Sequence, residues 1–238
     1  MRKCLSFVVI WLLLISFLNT GIVQAAPPEL PTQALTQEDR DRISDNLNIS
    51  LLETEPEKRP FDCFDVNSNQ DLAIGRKNLD DIIVAVYNDS GLFEYGYRLS
   101  GQSAFGVKWE GDILIIYIVR SDLAVYVDPS GKIVDIVMYE YTPEGGAYWR
   151  NYIDAKQKTI DGTTYTAKNN IGPLALFAMS YSKVTATDDD GTLRTVYDAS
   201  GVHLLQILLS TAGVLLFMGF VAVSIVKLFQ ERRKRHDD

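Results

Sequence analysis

Asp81-Ile82-Ile83-Val84-Ala85-Val86-Tyr87 and Asp112-Ile113-Leu114-Ile115-Ile116-Tyr117-Ile118-Val119 are apolar on both faces of an extended chain. A strand tolerates that pattern only when it is covered from both sides. Each run sits in a longer unit, and the two units match. Phe64-Asp65-Val66, Asp71 to Ile74, Ala85-Val86-Tyr87, Ser90-Gly91 and Phe93 to Arg98 recur as Phe105-Gly106-Val107, Asp112 to Ile115, Ala124-Val125-Tyr126, Ser130-Gly131 and Ile133 to Tyr139, at an offset of about 40 residues. Each unit predicts four short strands with a Ser-Gly turn before the fourth.

A period of that size with four strands per unit predicts blades of a β-propeller. In the first unit Phe93, Tyr95 and Tyr97 point one way while Glu94 and Arg98 point the other, the pattern of an outer strand. A third, degenerate unit follows. Thr163 to Lys168 alternates like a strand, and Lys183 to Thr187, Asp190-Gly191 and Leu193 to Tyr197 repeat the strand, turn, strand ending. The expected class is therefore an all-β ectodomain of two clear blades and one degenerate blade, spanning about 61–99, 103–140 and 161–198, with a short N-terminal helix and a C-terminal transmembrane helix. Thr36, three residues before Asp39, is the expected N-cap of that short helix, which runs through Leu47.

Apolar blocks bound this region. Arg2 and Lys3 precede the run Leu5 to Leu18, and Val23-Gln24-Ala25 supplies small residues where a signal peptidase reads, so residues 1–25 are expected to be a secretory signal. Residues 26–60 read as a proline-containing linker and the short helix, and 61–200 as the β ectodomain. Ile207 to Val226 is a run of twenty residues without a charge, enough to cross a ~30 Å hydrocarbon core, which places a membrane helix at 204–229. Lys227, Arg232, Arg233, Lys234 and Arg235 follow it, the positive excess of a cytoplasmic flank, so 230–238 is expected to be a cytoplasmic tail and the rest to lie outside.

Of the 23 basic and 31 acidic residues, 16 and 28 lie between the two apolar blocks, a charge near −12. Such a surface repels nucleic acid and bare anionic membrane. With the signal removed Cys63 is the sole cysteine, so the domain holds together without an internal disulfide.

Asp65-Val66-Asn67-Ser68-Asn69-Gln70-Asp71-Leu72-Ala73-Ile74 and Tyr87-Asn88-Asp89-Ser90-Gly91-Leu92-Phe93 resemble the turn and strand signatures of propeller repeats of the NHL and related types. The resemblance covers about 80 residues well and about 40 more in weaker form. It departs from those families in number, since closed propellers have about 4–8 blades and this chain has room for roughly three. The resemblance implies a fold element and no ligand. The chain as a whole also resembles signal-bearing, single-span surface proteins of Gram-positive bacteria.

Asp65, Asn67, Asn69 and Asp71 place oxygens at positions 1, 3, 5 and 7, as in the opening of an EF-hand loop. Gln70 stands where that loop needs Gly and Arg76 where it needs a bidentate Glu, so a polar turn between strands accounts for the same residues. The two histidines, His203 and His236, lie on opposite sides of the expected span, which removes a histidine base, triad or zinc ligand from the ectodomain. Cys63, beside Phe61 and Phe64, reads as a small buried hydrophobe. No cofactor is expected.

Tyr141, Tyr148, Trp149 and Tyr152 gather in a Gly- and Pro-containing insertion, where exposed rings serve protein or glycan contact and buried ones cover a sheet. The leading expectation is thus a non-enzymatic, membrane-anchored interaction module. Open sheet edges make a homodimer its testable extension. The alternative is a sensor or accessory subunit working with a membrane protein partner, and a glycan-active enzyme built on acidic residues ranks last.

Overall fold

The computed structural model describes residues 30–140, 142–172 and 180–237. The expected signal therefore lies outside the described residues, as do Tyr141 and the apolar segment 173–179. Among the described residues fourteen strands form three antiparallel sheets. Strands β3 (Cys63–Val66), β4 (Leu72–Asn78), β5 (Asp81–Tyr87) and β6 (Phe93–Ser100) make a four-strand meander. Strands β7 (Phe105–Glu110), β8 (Ile113–Ile118), β9 (Leu123–Val127) and β10 (Ile133–Tyr139) make the second. Strands β11 (Gln157–Ile160), β12 (Thr163–Lys168), β13 (Lys183–Thr187) and β14 (Leu193–Asp198) make the third.

The first sheet is the middle layer, and its strands explain the two-faced apolar runs. In β5, Ile82, Val84 and Val86 join Val107, Leu114, Ile116 and Val125 of the second sheet in one core. Ala85 and Tyr87, on the opposite face, join Tyr165, Val184, Ala186 and Tyr197 of the third sheet in another. In β8 the alternation is repeated: Leu114, Ile116 and Ile118 face the first sheet, while Ile115 and Tyr117 enter a third cluster with Leu30, Tyr139, Tyr148 and Ile153. Period-two alternation with both faces apolar is what a sandwiched layer requires.

This arrangement overturns the propeller expectation. None of the sheets is closed or curled into a barrel or ring, and three open sheets stack with the first unit between the other two. The strand read as outer, Phe93 to Arg98, is not at an edge either. The N-terminal segment adds β1 (Thr32–Ala34) to β10 and β2 (Ser50–Leu52) to β6, giving two five-stranded sheets. Between them lies α1 (Gln37–Leu47), whose N-cap Thr36 accepts from the Asp39 amide and whose Leu47 is buried in the core shared by those two sheets. A second helix, α2 (Pro143–Tyr148), and a π-helical turn (Trp149–Ile153) cover the outer face of the second sheet.

The signatures behind the propeller resemblance are hairpin turns of a general kind. Asn67, Asn88, Asp128 and Asp188 each donate their amide to the carbonyl four residues on, and each accepts at its own carbonyl from the amide three residues on. The donor of that second bond, Gln70, Gly91, Gly131 or Gly191, is left-handed with φ of 65°, 74°, 84° and 84°. A type I turn followed by a left-handed residue closes any antiparallel pair in this way, whatever the sheets do next. Gln70 alone fills that position without being glycine. Its carboxamide oxygen accepts from the Tyr165 hydroxyl (3.1 Å) and the Arg194 guanidinium (2.9 Å), so the side chain that strains the turn also joins the first sheet to the third.

The first strands of the three meanders meet at Asp65 of β3. Its Oδ2 accepts the Trp109 amide of β7 (2.6 Å) and its Oδ1 lies 2.8 Å from Lys158 Nζ of β11. The two side chains are only 9% and 11% exposed. Lys158 also donates to the Tyr152 carbonyl and lies over the Phe64 ring. Removing one member strands the other charge in a dry site, so Asp65→Ala is expected to lower stability by about 3–5 kcal/mol. Asp65→Leu/Lys158→Met is expected to cost less than the two single changes together. Denaturant unfolding of the parent, Asp65→Ala, Asp65→Leu, Lys158→Met and the double variant measures both, and additive losses would show that the pair does not couple the sheets.

Candidate interaction surface

The insertion after β10 was expected to present rings or to cover a sheet, and the structure divides its residues between these roles. Thr142 caps α2 by accepting from Gly145, and Pro143 takes the first turn, where a missing amide costs nothing. The chain then widens: Asp154 donates to the Trp149 carbonyl, five residues back, so one extra residue is inserted in the turn. That insertion swings Ile153 and the Trp149 ring onto β7 at Gly106, where a β-carbon would collide with Ile153 and press on the indole. Glycine is required there by the close approach of the covering turn.

Tyr148 is 2% exposed and Tyr152 37%. Trp149, half-buried, stacks on Tyr139 with centroids 6.3 Å apart, meets Tyr117 edge-on at 5.8 Å, and donates its indole N–H to Asp154 (2.8 Å). Tyr148 and Tyr152 lie 5.1 Å apart, and the Lys108 ammonium donates to the Tyr148 hydroxyl from above that ring. Tyr148 and Trp149 are thus cover for the second sheet, and Tyr152 is the ring of this group that faces solvent. On Tyr148 an open cleft is lined by Leu30, Thr32, Lys108, Glu110, Tyr117 and Tyr126. Aromatic walls with one basic and one acidic residue suit a polar chain or a sugar ring. Lys108 and Glu110 belong to β7 and gave no sequence signal, because charged residues on an alternating strand read as a solvated face.

The four residues of the calcium-like spacing do different work. Asp65 is committed to Trp109 and Lys158. Asn67 is buried and its Oδ1 accepts the amides of Asn69 (2.9 Å) and Asp71 (2.8 Å), while its Nδ2 donates to Asp71 Oδ2 (2.9 Å). Asn69 is exposed and contributes its amide. The polar spacing is met as a hairpin turn whose side-chain oxygens are spent on backbone donors. Among the described residues no group of three or more His, Cys, Asp or Glu is arranged to hold a metal ion.

Cys63 is buried, and burial pushes its thiol well above the ordinary range, with the Asp62 charge adding to the effect. The thiolate needed for nucleophilic or redox chemistry is thereby disfavoured. Burial also raises the hydroxyls of Tyr95, Tyr139 and Tyr197 to about 12 and those of Tyr87, Tyr97 and Tyr117 further.

No family model, curated protein or solved structure matches the chain.

The tyrosines set a pH dependence with a definite sign. Their unfolded-state value is 10.0 and the folded value of Tyr95, Tyr139 and Tyr197 is about 12, so between these the unfolded chain releases protons that the folded one keeps. Stability is expected to be undiminished by these groups below pH 10 and to fall as pH rises to about 12. Ionisation followed by ultraviolet absorbance is expected to lag in the folded protein and to finish with unfolding. In a second test, Gly106→Val is expected to displace the π-helical turn and change Trp149 fluorescence, leaving the two inner cores intact by far-ultraviolet dichroism.

Proposed function

We propose that the chain is a single-span membrane protein that holds a rigid three-sheet module outside the cytoplasm for contact with a protein or glycan. The observation that carries this reading is α3 (Ser200–Asp237). It is the one helix among the described residues long and apolar enough to cross a membrane, over Ser200–Ile225, and none of its apolar window is buried against the domain. Leu208, Leu209, Leu215, Leu216, Phe217 and Phe220 are all more than half exposed, and such a surface is stable in a bilayer and not in water. The basic residues after Val226 support an orientation with the sheets outside.

Contact through the cleft at Tyr148, whose ring Tyr152 meets at 5.1 Å, is supported by its composition and by its place over a fully packed sheet, which presents the side chains without backbone rearrangement. The case for a homodimer rested on open edges, and β1 and β2 now occupy two of them. The sensor or accessory-subunit reading gains from a different feature. Ala199 donates to Ser182 in the last bond of the third sheet (2.7 Å), Ser200 begins α3, and His203 is buried, so the domain joins its helix without a flexible linker. A tilt of the module would therefore reach the membrane.

Tyr152→Cys tests the reading, because buried Cys63 gives little background. On intact cells the introduced thiol is expected to react with a membrane-impermeant maleimide, and the protein to stay in the membrane fraction after alkaline carbonate. Reaction only after permeabilisation would reverse the orientation, and release by carbonate would remove the span. A photo-crosslinker at position 152 is expected to give discrete adducts with one partner, which Lys108→Ala weakens.

A further inference from the structure

The tip of the β4–β5 hairpin carries a feature that the fold does not use. Leu79 is 91% exposed and has φ 55°, the left-handed region that branched apolar side chains rarely adopt and that Gly, Asn or Asp ordinarily fill. The register leaves Leu79 and Asp80 as the two-residue loop between the partners Asn78 and Asp81. An Asn or Gly would close the turn with less strain, and Leu79 packs against none of the three cores. The side chain stabilises nothing inside the domain.

Its neighbours indicate what it meets. Leu79 shares a cleft with Arg59, Lys77, Ser180 and Gln206. Gln206 belongs to α3 and is the last residue before the uncharged run Ile207 to Val226, whose twenty residues match a ~30 Å hydrocarbon core. The hairpin tip therefore stands at the level where the helix enters the apolar layer. The junction that places it there is stiff, because β14 passes into α3 within two residues and His203 is buried.

We propose that Leu79 dips into the interfacial zone of the same bilayer that holds α3, with Lys77 reaching lipid phosphates while Arg59 stays paired with Glu57 (2.7 Å). This rests on the reading of α3 as a span. Lys77 can keep its stem against the apolar boundary and its ammonium at the headgroups. Asp62 accepts the Lys77 amide, and Asp80 accepts from the Gln102 carboxamide, so two nearby carboxylates are engaged within the fold. The net acidity of the domain opposes adsorption from solution, but the tether holds the hairpin at high effective concentration over the lipid. The contact braces the domain against the membrane at a second point beside the helix.

Spin labels in the full chain, in phosphatidylcholine vesicles and a Cys4→Ser background, test this. Leu79→Cys, Leu92→Cys and Leu216→Cys are compared for collision with an aqueous and a lipid-soluble relaxant. Leu92 is 65% exposed beyond the opposite end of β5, about 20 Å away, and is the aqueous reference. Leu216 is 76% exposed within the span. The label at Leu79 is expected to be several-fold less accessible to the aqueous relaxant than that at Leu92, with a depth between those of Leu92 and Leu216. A label at Leu79 as accessible as that at Leu92, with Leu216 shielded, would overturn the contact and leave the span standing. Aqueous exposure at Leu216 would remove the span and the contact together. Melting of Leu79→Cys is expected to match the parent, so loss of shielding is not loss of fold.

Discussion

Asp65 is a single carboxylate on which three sheets depend. One oxygen takes the backbone amide of Trp109 and the other the ammonium of Lys158, so β3, β7 and β11 are tied at one point almost closed to water. The apolar faces alone would let the sheets slide, because burial is proportional to area and indifferent to direction. A desolvated ion pair with a charge-assisted backbone bond is directional, and it sets where each sheet stops against the next. It also reaches the covering turn, since Lys158 donates to the Tyr152 carbonyl.

Around this point the chain solves its edge problem from its own N-terminal segment. Five-stranded sheets arise where β1 and β2 pair with β10 and β6, and α1 fills the space between the additions with Leu47 and Ile43. The outer face of the second sheet is closed by α2 and the π-helical turn, which deliver Tyr148, Trp149 and Ile153 onto Tyr117 and Tyr139. The module is stiff because each layer has a neighbour. Its third sheet passes directly into α3, because Ala199 closes the last bond of that sheet and Ser200 begins the helix.

The residues that were readable in advance owe this to local rules. Thr36 caps a helix, Asx residues close hairpins by accepting backbone amides, and runs such as Ile82 to Tyr87 require cover on both faces. The step from two-faced strands to propeller blades failed because a stacked middle layer and a ring of blades place the same demand on β5. Nothing in alternation distinguishes which sheet lies on which side. Asp65 was legible as an acidic turn residue, and its spacing with Asn67, Asn69 and Asp71 invited a metal. Its partners, Lys158 and Trp109, lie 93 and 44 residues away in the chain and carried no signal of their own.

By itself the sequence determined most strands of the three meanders, their turns and the apolar helix after Ser200, because each follows from neighbours within a few residues. Only the tertiary structure decided the order of the sheets, the pairing of the N-terminal segment with one edge of each of two sheets, the burial of Tyr148 against the exposure of Tyr152, and the position of Leu79 beside Gln206. These depend on contacts between residues far apart in the chain, where apolar patterning specifies that a face is covered and leaves open what covers it.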